Sequence, residues 1–100
     1  MANMCTNMFY CKTDNAENYK KINDFLEEHF EVDFFNEDED SHSFESEFYS
    51  RWSFPEKEFE ELLNLLIADN TLYMRILSHE LCCEYASFRI YNNNEWQVQF

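Results

Sequence analysis

The chain has 100 residues, 45% of them apolar, 19% aromatic and 28% charged, and its 21 acidic and 7 basic side chains give a formal net charge of −14. That length holds one core, and so many large hydrophobes exclude a disordered acidic tail. The charge disfavours direct binding to nucleic acid or anionic membrane, whose phosphates are repelled within a Debye length, about 8 Å at physiological salt.

Met8, Phe9, Tyr10 and Cys11 read as a first strand, closed by polar Lys12 to Asn15, where Asp14 or Asn15 can cap a helix. Tyr19, Ile22, Phe25, Leu26 and Phe30 then recur at three- and four-residue steps, predicting a helix over 16–30. Glu31 to Phe35 reads as a strand and the acidic run Asn36 to Ser41 as a turn. Residues 43–49 alternate Phe44 and Phe48 with Glu45 and Glu47, the pattern of a strand with one buried face, pairing back as a hairpin. Ser53, Pro55 and Glu56 form the signature of a capping box opening a second helix, whose stripe of Phe59, Leu62, Leu63, Leu66 and Ile67 runs to about Asp69. Strands are expected over 71–77, 85–91 and 96–100, the last two joined by Asn92 to Glu95, since asparagine tolerates positive φ and the chain has no glycine.

The order β, α, β, β, α, β, β, β predicts a single α+β domain over residues 1–100. Its antiparallel sheet is of the split βαβ kind, with two helices on one face and an extra C-terminal hairpin strand.

A phosphate-binding glycine loop cannot be built without glycine, which excludes most nucleotide enzymes. Zinc would call on His79, Cys82 and Cys83, with Cys5, Cys11 or His42, but their spacing matches no compact zinc signature, and small buried hydrophobes are the better reading of the cysteines. The run Asn36 to Asp40 lacks the glycine and the closing glutamate of a calcium loop. Carboxylates are too abundant for any pair to be singled out as acid and base. The expectation is therefore no catalytic residue, no metal and no cofactor. With no basic and apolar leader and no apolar run near the roughly 18 residues of a membrane span, a cytoplasmic location with reduced thiols is expected.

Between Ile22 and Ser50 lie Asp24, Glu27, Glu28, Glu31, Asp33, Glu37, Asp38, Glu39, Asp40, Glu45 and Glu47, with no lysine or arginine among them. Two readings stand side by side. The run is a solvated face that serves solubility or a salt-rich habitat, or it is a partner-binding surface on which regularly spaced carboxylates imitate nucleic-acid phosphates.

The opening Met1-Ala2-Asn3-Met4-Cys5-Thr6-Asn7, the strand residues Phe44-Glu45-Ser46 and the following Trp52-Ser53-Phe54-Pro55 resemble the YubB-type ferredoxin-like domains carried by plasmids, phages and mobile elements. Where those domains place a glycine-rich turn, this chain has Cys82, Cys83 and Glu84. The resemblance implies a ferredoxin-like fold and a bacterial host cell, and it carries no catalytic residue across. Trp52 reads as a core anchor beneath the second helix. Charge and setting together predict an inhibitor that binds a basic nucleic-acid-handling protein, such as a restriction or RNA-guided defence nuclease. The alternative is a structural module that dimerises through sheet edges or exposed aromatics such as Trp96 and Phe100.

Overall fold

Alternation along the central strand sets the architecture. In the computed structural model, which describes residues 4–38, 40–51, 53–80 and 85–99, β1 (Met4–Lys12) buries Cys5, Asn7, Phe9 and Cys11 and turns Met4, Met8 and Lys12 outward. The buried side belongs to the layer that holds α1 (Ala16–His29) and α2 (Glu56–Leu65). The remaining strands are β2 (Glu31–Asp38), β3 (Ser43–Arg51), β4 (Tyr73–Glu80), β5 (Tyr85–Asn92) and β6 (Glu95–Gln99). They form one open antiparallel sheet in the order β2-β3-β1-β4-β5-β6. This is an α+β domain consistent with the ferredoxin-like class, and the order of elements is the one expected.

The core is aromatic. The Phe9 ring lies 5.5 Å from Phe44, 5.7 Å from Phe59 and 6.1 Å from Phe48, so one residue of β1 ties β3 to α2. Such ring pairs contribute about 0.5–1.5 kcal/mol beyond burial. Ile22, Phe25 and Leu26 complete the layer from α1, and Met74 and Ile76 from β4. Trp96 packs against Phe54, Phe59 and Tyr91, so it is a half-buried part of this core rather than an exposed aromatic. Trp52, Phe100, Glu39 and the Leu81 to Glu84 stretch, including Cys82 and Cys83, lie outside the described residues.

Several boundaries differ from expectation. Asn36, Glu37 and Asp38 continue β2 opposite Glu45, Phe44 and Ser43, and the reversal falls later, where His42 takes a φ of 51°. Pairing with the well-packed β3 overrides the low strand propensity of acidic residues. The capping box does not form. Pro55 is the N-cap without a side-chain hydrogen bond, Ser53 Oγ approaches the Phe54 carbonyl, and Glu56 turns to Arg89, whose Nη2 is 3.3 Å from Glu56 Oε1. Asn15, by contrast, caps α1 by accepting from the Asn18 amide at 2.9 Å.

α2 ends at Leu65 instead of near Asp69, because α1 captures the chain beyond it. The buried Asn18 side chain donates to the Ile67 carbonyl and accepts from the Ile67 amide, both at 3.0 Å. Asp69 continues the clasp, accepting from Thr13, Asn18 and Thr71. At the other end of β1, the buried Asn7 amide donates to Ser50 Oγ at 2.9 Å and accepts from Ser78 Oγ at 2.7 Å, joining β3, β1 and β4. Asn93 and Asn94 take φ values of 53° and 64° between β5 and β6, as a glycine-free hairpin requires.

Asn18→Ala should leave both Ile67 backbone groups unsatisfied and cost about 2 kcal/mol, read as a lower urea midpoint at unchanged slope. Burial pushes the Asp69 carboxyl up, but its hydrogen bonds from Thr13, Thr71 and Asn18 outweigh that and hold it below the usual carboxylate range. A depressed folded pKa means stability that is complete above the unfolded value and is lost as pH falls through the folded one. Below about pH 4, Asp69→Asn should therefore lose stability less steeply than the natural chain in acid-unfolding curves.

Candidate functional site

The ten described carboxylates of the acidic run do not form one flat patch; they are spread over α1, β2, β3 and the hairpin end between the two strands. Alternate residues of a strand share a face, about 6.7 Å apart. Glu45 and Glu47 accordingly stand together on the sheet face turned away from the helices, with Glu31 of β2 opposite Tyr49 on that same face. A register shift between Val32 and Phe34 leaves Asp33 where the Tyr49 hydroxyl donates to it at 3.1 Å. Glu37 falls opposite Phe44, on the helix side, and accepts from the Tyr19 hydroxyl. Asp38 and Asp40 are exposed at the hairpin end, where Asp38 accepts from the Asp40 amide at 3.2 Å. Asp24, Glu27 and Glu28 are exposed on α1, where Asp24 and Glu28 line a shallow depression with Lys21 and Phe25 and with Leu65 of α2.

Among the described residues, ion pairs join Lys20 to Asp24 at 2.9 Å, Lys21 to Glu17 at 3.5 Å and Arg89 to Glu56 at 3.3 Å. Of the described members of the run, Asp24 alone takes part in one of these. Asp33 and Glu37 are held instead by tyrosine hydroxyls, which orient a carboxylate without cancelling its charge. Burial, and then the bond to Glu37, push the Tyr19 hydroxyl above its usual range, so it stays a donor at neutral pH.

The cysteines and histidines are not brought together. Cys5 and Cys11 are free and buried, and burial raises both thiols, which keeps them protonated and poorly nucleophilic. His79 sits opposite Thr6 on the uncovered sheet face, His42 lies beside the Tyr19 ring, and His29 stacks on Phe25 at 3.9 Å. Among the described residues no three His, Cys, Asp or Glu side chains gather as metal ligands would, and no helix is long and apolar enough to cross a membrane.

Two features escape a reading confined to the acidic run. A second group of carboxylates, Glu58, Glu60 and Glu61, is on α2, with Glu60 and Glu61 exposed. Beside it, Phe54, Leu63, Trp96 and Val98 line a cleft of about 420 Å³ with Arg89 buried at its base, the guanidinium 4.3 Å from the Phe54 ring. On the uncovered face, Met4 and Met8 of β1 point outward, and their alternation with the buried Cys5 and Phe9 was the available sequence signal for apolar side chains there.

Unpaired like charges along one flank should repel. Raising NaCl from about 0.1 M to about 1 M shortens the Debye length from roughly 10 Å to 3 Å, so the melting temperature should rise. In Glu45→Gln/Glu47→Gln the starting value should be higher and the salt response smaller. A melting temperature that falls with NaCl, measured by circular dichroism, would mean that favourable pairings dominate.

Compared with family models, with curated proteins and with solved structures, the chain matches none, and nothing there identifies the YubB-type family that its motifs resemble.

Proposed function

We propose that this domain is a non-catalytic, acidic protein-binding module that occupies the basic cleft of a nucleic-acid-handling protein. In its concrete form it is a phage or mobile-element inhibitor of a restriction or RNA-guided nuclease, acting in the cytoplasm of a bacterial host. The observation that carries this reading is the β2 flank, where Glu31, Glu45 and Glu47 share one sheet face and the neighbouring Asp33 and Glu37 accept from tyrosine hydroxyls rather than from cations. Crowded charge of one sign stores repulsion that a cationic groove relieves on contact, and it raises the rate of encounter with such a groove.

The finer fold reading goes with it. In the order β4-β1-β3-β2, β3 separates β1 from β2 and β1 separates β3 from β4, all by antiparallel pairing. That supports the split βαβ arrangement, extended by the β5–β6 hairpin. A rigid sheet suits mimicry, because charges held at fixed spacing need not be ordered when the partner arrives.

The protein, immobilised and exposed to a bacterial lysate, should retain basic nucleic-acid-binding proteins that rising salt or added duplex DNA releases. Glu31→Gln/Asp33→Asn/Glu45→Gln/Glu47→Gln should weaken that retention by about tenfold or more, while Glu58→Gln/Glu60→Gln/Glu61→Gln, with the β2 flank intact, should not. Retention indifferent to both salt and duplex DNA would reject the mimicry.

A further inference from the structure

One face of the sheet is filled by the two helices. Among the described residues no helix or strand covers the other, and alternation should make such a face polar. It is not polar at its centre. Met8 on β1 is opposite Leu77 on β4, which is opposite Phe88 on β5, so three apolar side chains form a row across three strands. Met8 is 52% and Leu77 39% exposed, and Met4, 48% exposed, lies on the same side of β1. The row floors a depression of about 330 Å³. Its wall on the β3 side is acidic, since Glu47 is opposite Met8 and Glu45 is opposite Tyr10. Arg75 closes one end, with its guanidinium 4.3 Å from the Tyr10 ring.

We propose that this depression is the docking site for a lysine- or arginine-bearing amphipathic segment of a basic partner protein. The inference rests on the binding-module reading and adds the surface and the partner's chemistry. An apolar floor beside two carboxylates matches the two halves of a long cationic side chain: the aliphatic stem lies on Met8 and Leu77, and the charged head reaches Glu45 and Glu47. Apolar neighbours in the same segment extend along the row toward Phe88.

Charge selects this occupant over a second copy of the chain. Two copies bring together bodies of −14 each. The cations each would offer on this face are Arg75, already stacked on Tyr10, and Lys12 and Arg51 at the strand ends. A nucleic acid or an anionic lipid surface would meet Glu45 and Glu47 with charge of the same sign.

The test is a titration of the isotopically labelled full chain with a helical peptide of leucine and lysine, and with a same-charge peptide in which serine replaces leucine, followed by amide chemical shifts. The leucine peptide should shift amides of β1, β3, β4 and β5 and bind about tenfold tighter than the serine peptide, the scale of one buried aliphatic side chain. Met8→Thr/Leu77→Thr, substitutions suited to an exposed strand position, should abolish that difference while the melting temperature and circular dichroism confirm the fold. Glu45→Gln/Glu47→Gln should weaken both peptides. Equal binding of the two peptides overturns the docking site and leaves the charge-based reading standing, whereas binding of neither overturns both. A dimer that forms with concentration and is lost in Met8→Thr/Leu77→Thr would give the face to a second copy and overturn the proposal.

Discussion

The contact on which the rest of the structure depends is the aromatic cluster around Phe9. Its ring meets Phe44 and Phe48 of β3 on one side and Phe59 of α2 above, and Phe30, at the end of α1, stacks obliquely on Phe48 with centroids 4.5 Å apart. These rings fix which face of the sheet is inner, because the side chains of β1 and β3 alternate between the two faces and a one-residue slip would exchange every inward and outward position. Once Phe44 and Phe48 are inward, Glu45 and Glu47 have nowhere to go but the opposite face. Once Phe9 is inward, Met8 and Tyr10 must join them there. The acidic wall and the apolar row are thus both consequences of a core that lies on their far side.

Electrostatics works against that core. A compact body of −14 repels itself, and the three ion pairs among the described residues, each with an exposed carboxylate, offset little of it. Part of that charge lies on β2, where it has a structural consequence. β2 is a sheet edge with unpaired backbone groups, and charged side chains together with a register shift are the usual defence against edge-to-edge pairing. Edge protection accounts for Glu31, Asp33 and Glu37. It does not account for Glu45 and Glu47, which belong to β3, an interior strand paired on both sides. Those two are the carboxylates that a purely protective role leaves over.

The order of elements was legible because each long element carried its own period. Phe44, Glu45, Phe48 and the stripe of Tyr19, Ile22, Phe25 and Leu26 could be read without knowledge of their neighbours. What was not legible depended on contacts between distant segments. Asn18 ends α2 by holding Ile67, forty-nine residues away, and no local signal announces that. Arg89 draws Glu56 out of the capping box that its spacing to Ser53 predicts. The acidic residues at the end of β2 look like a turn by composition, yet they pair because β3 opposite them is anchored by Phe44. The uncovered face was missed for a related reason: exposure of Met8 and Leu77 becomes visible only when β1 and β4 are known to be neighbours and the helices are known to lie on the other side.

Charge and apolar surface contribute differently to recognition. Carboxylates around a whole flank attract any cationic surface, at a range set by the Debye length, and so steer encounter without choosing among partners. Dispersion and desolvation act only at contact, and a row of three side chains on a rigid sheet presents one shape. A domain with only the first would bind basic proteins indiscriminately and release them in moderate salt. One with only the second would be prone to stack on itself, since nothing would oppose the meeting of two such faces. Met8 and Leu77 beside Glu45 and Glu47 combine the two: in the proposed docking, the carboxylates would keep copies of the chain apart and the apolar row would reward a cationic partner whose shape lets it settle between them.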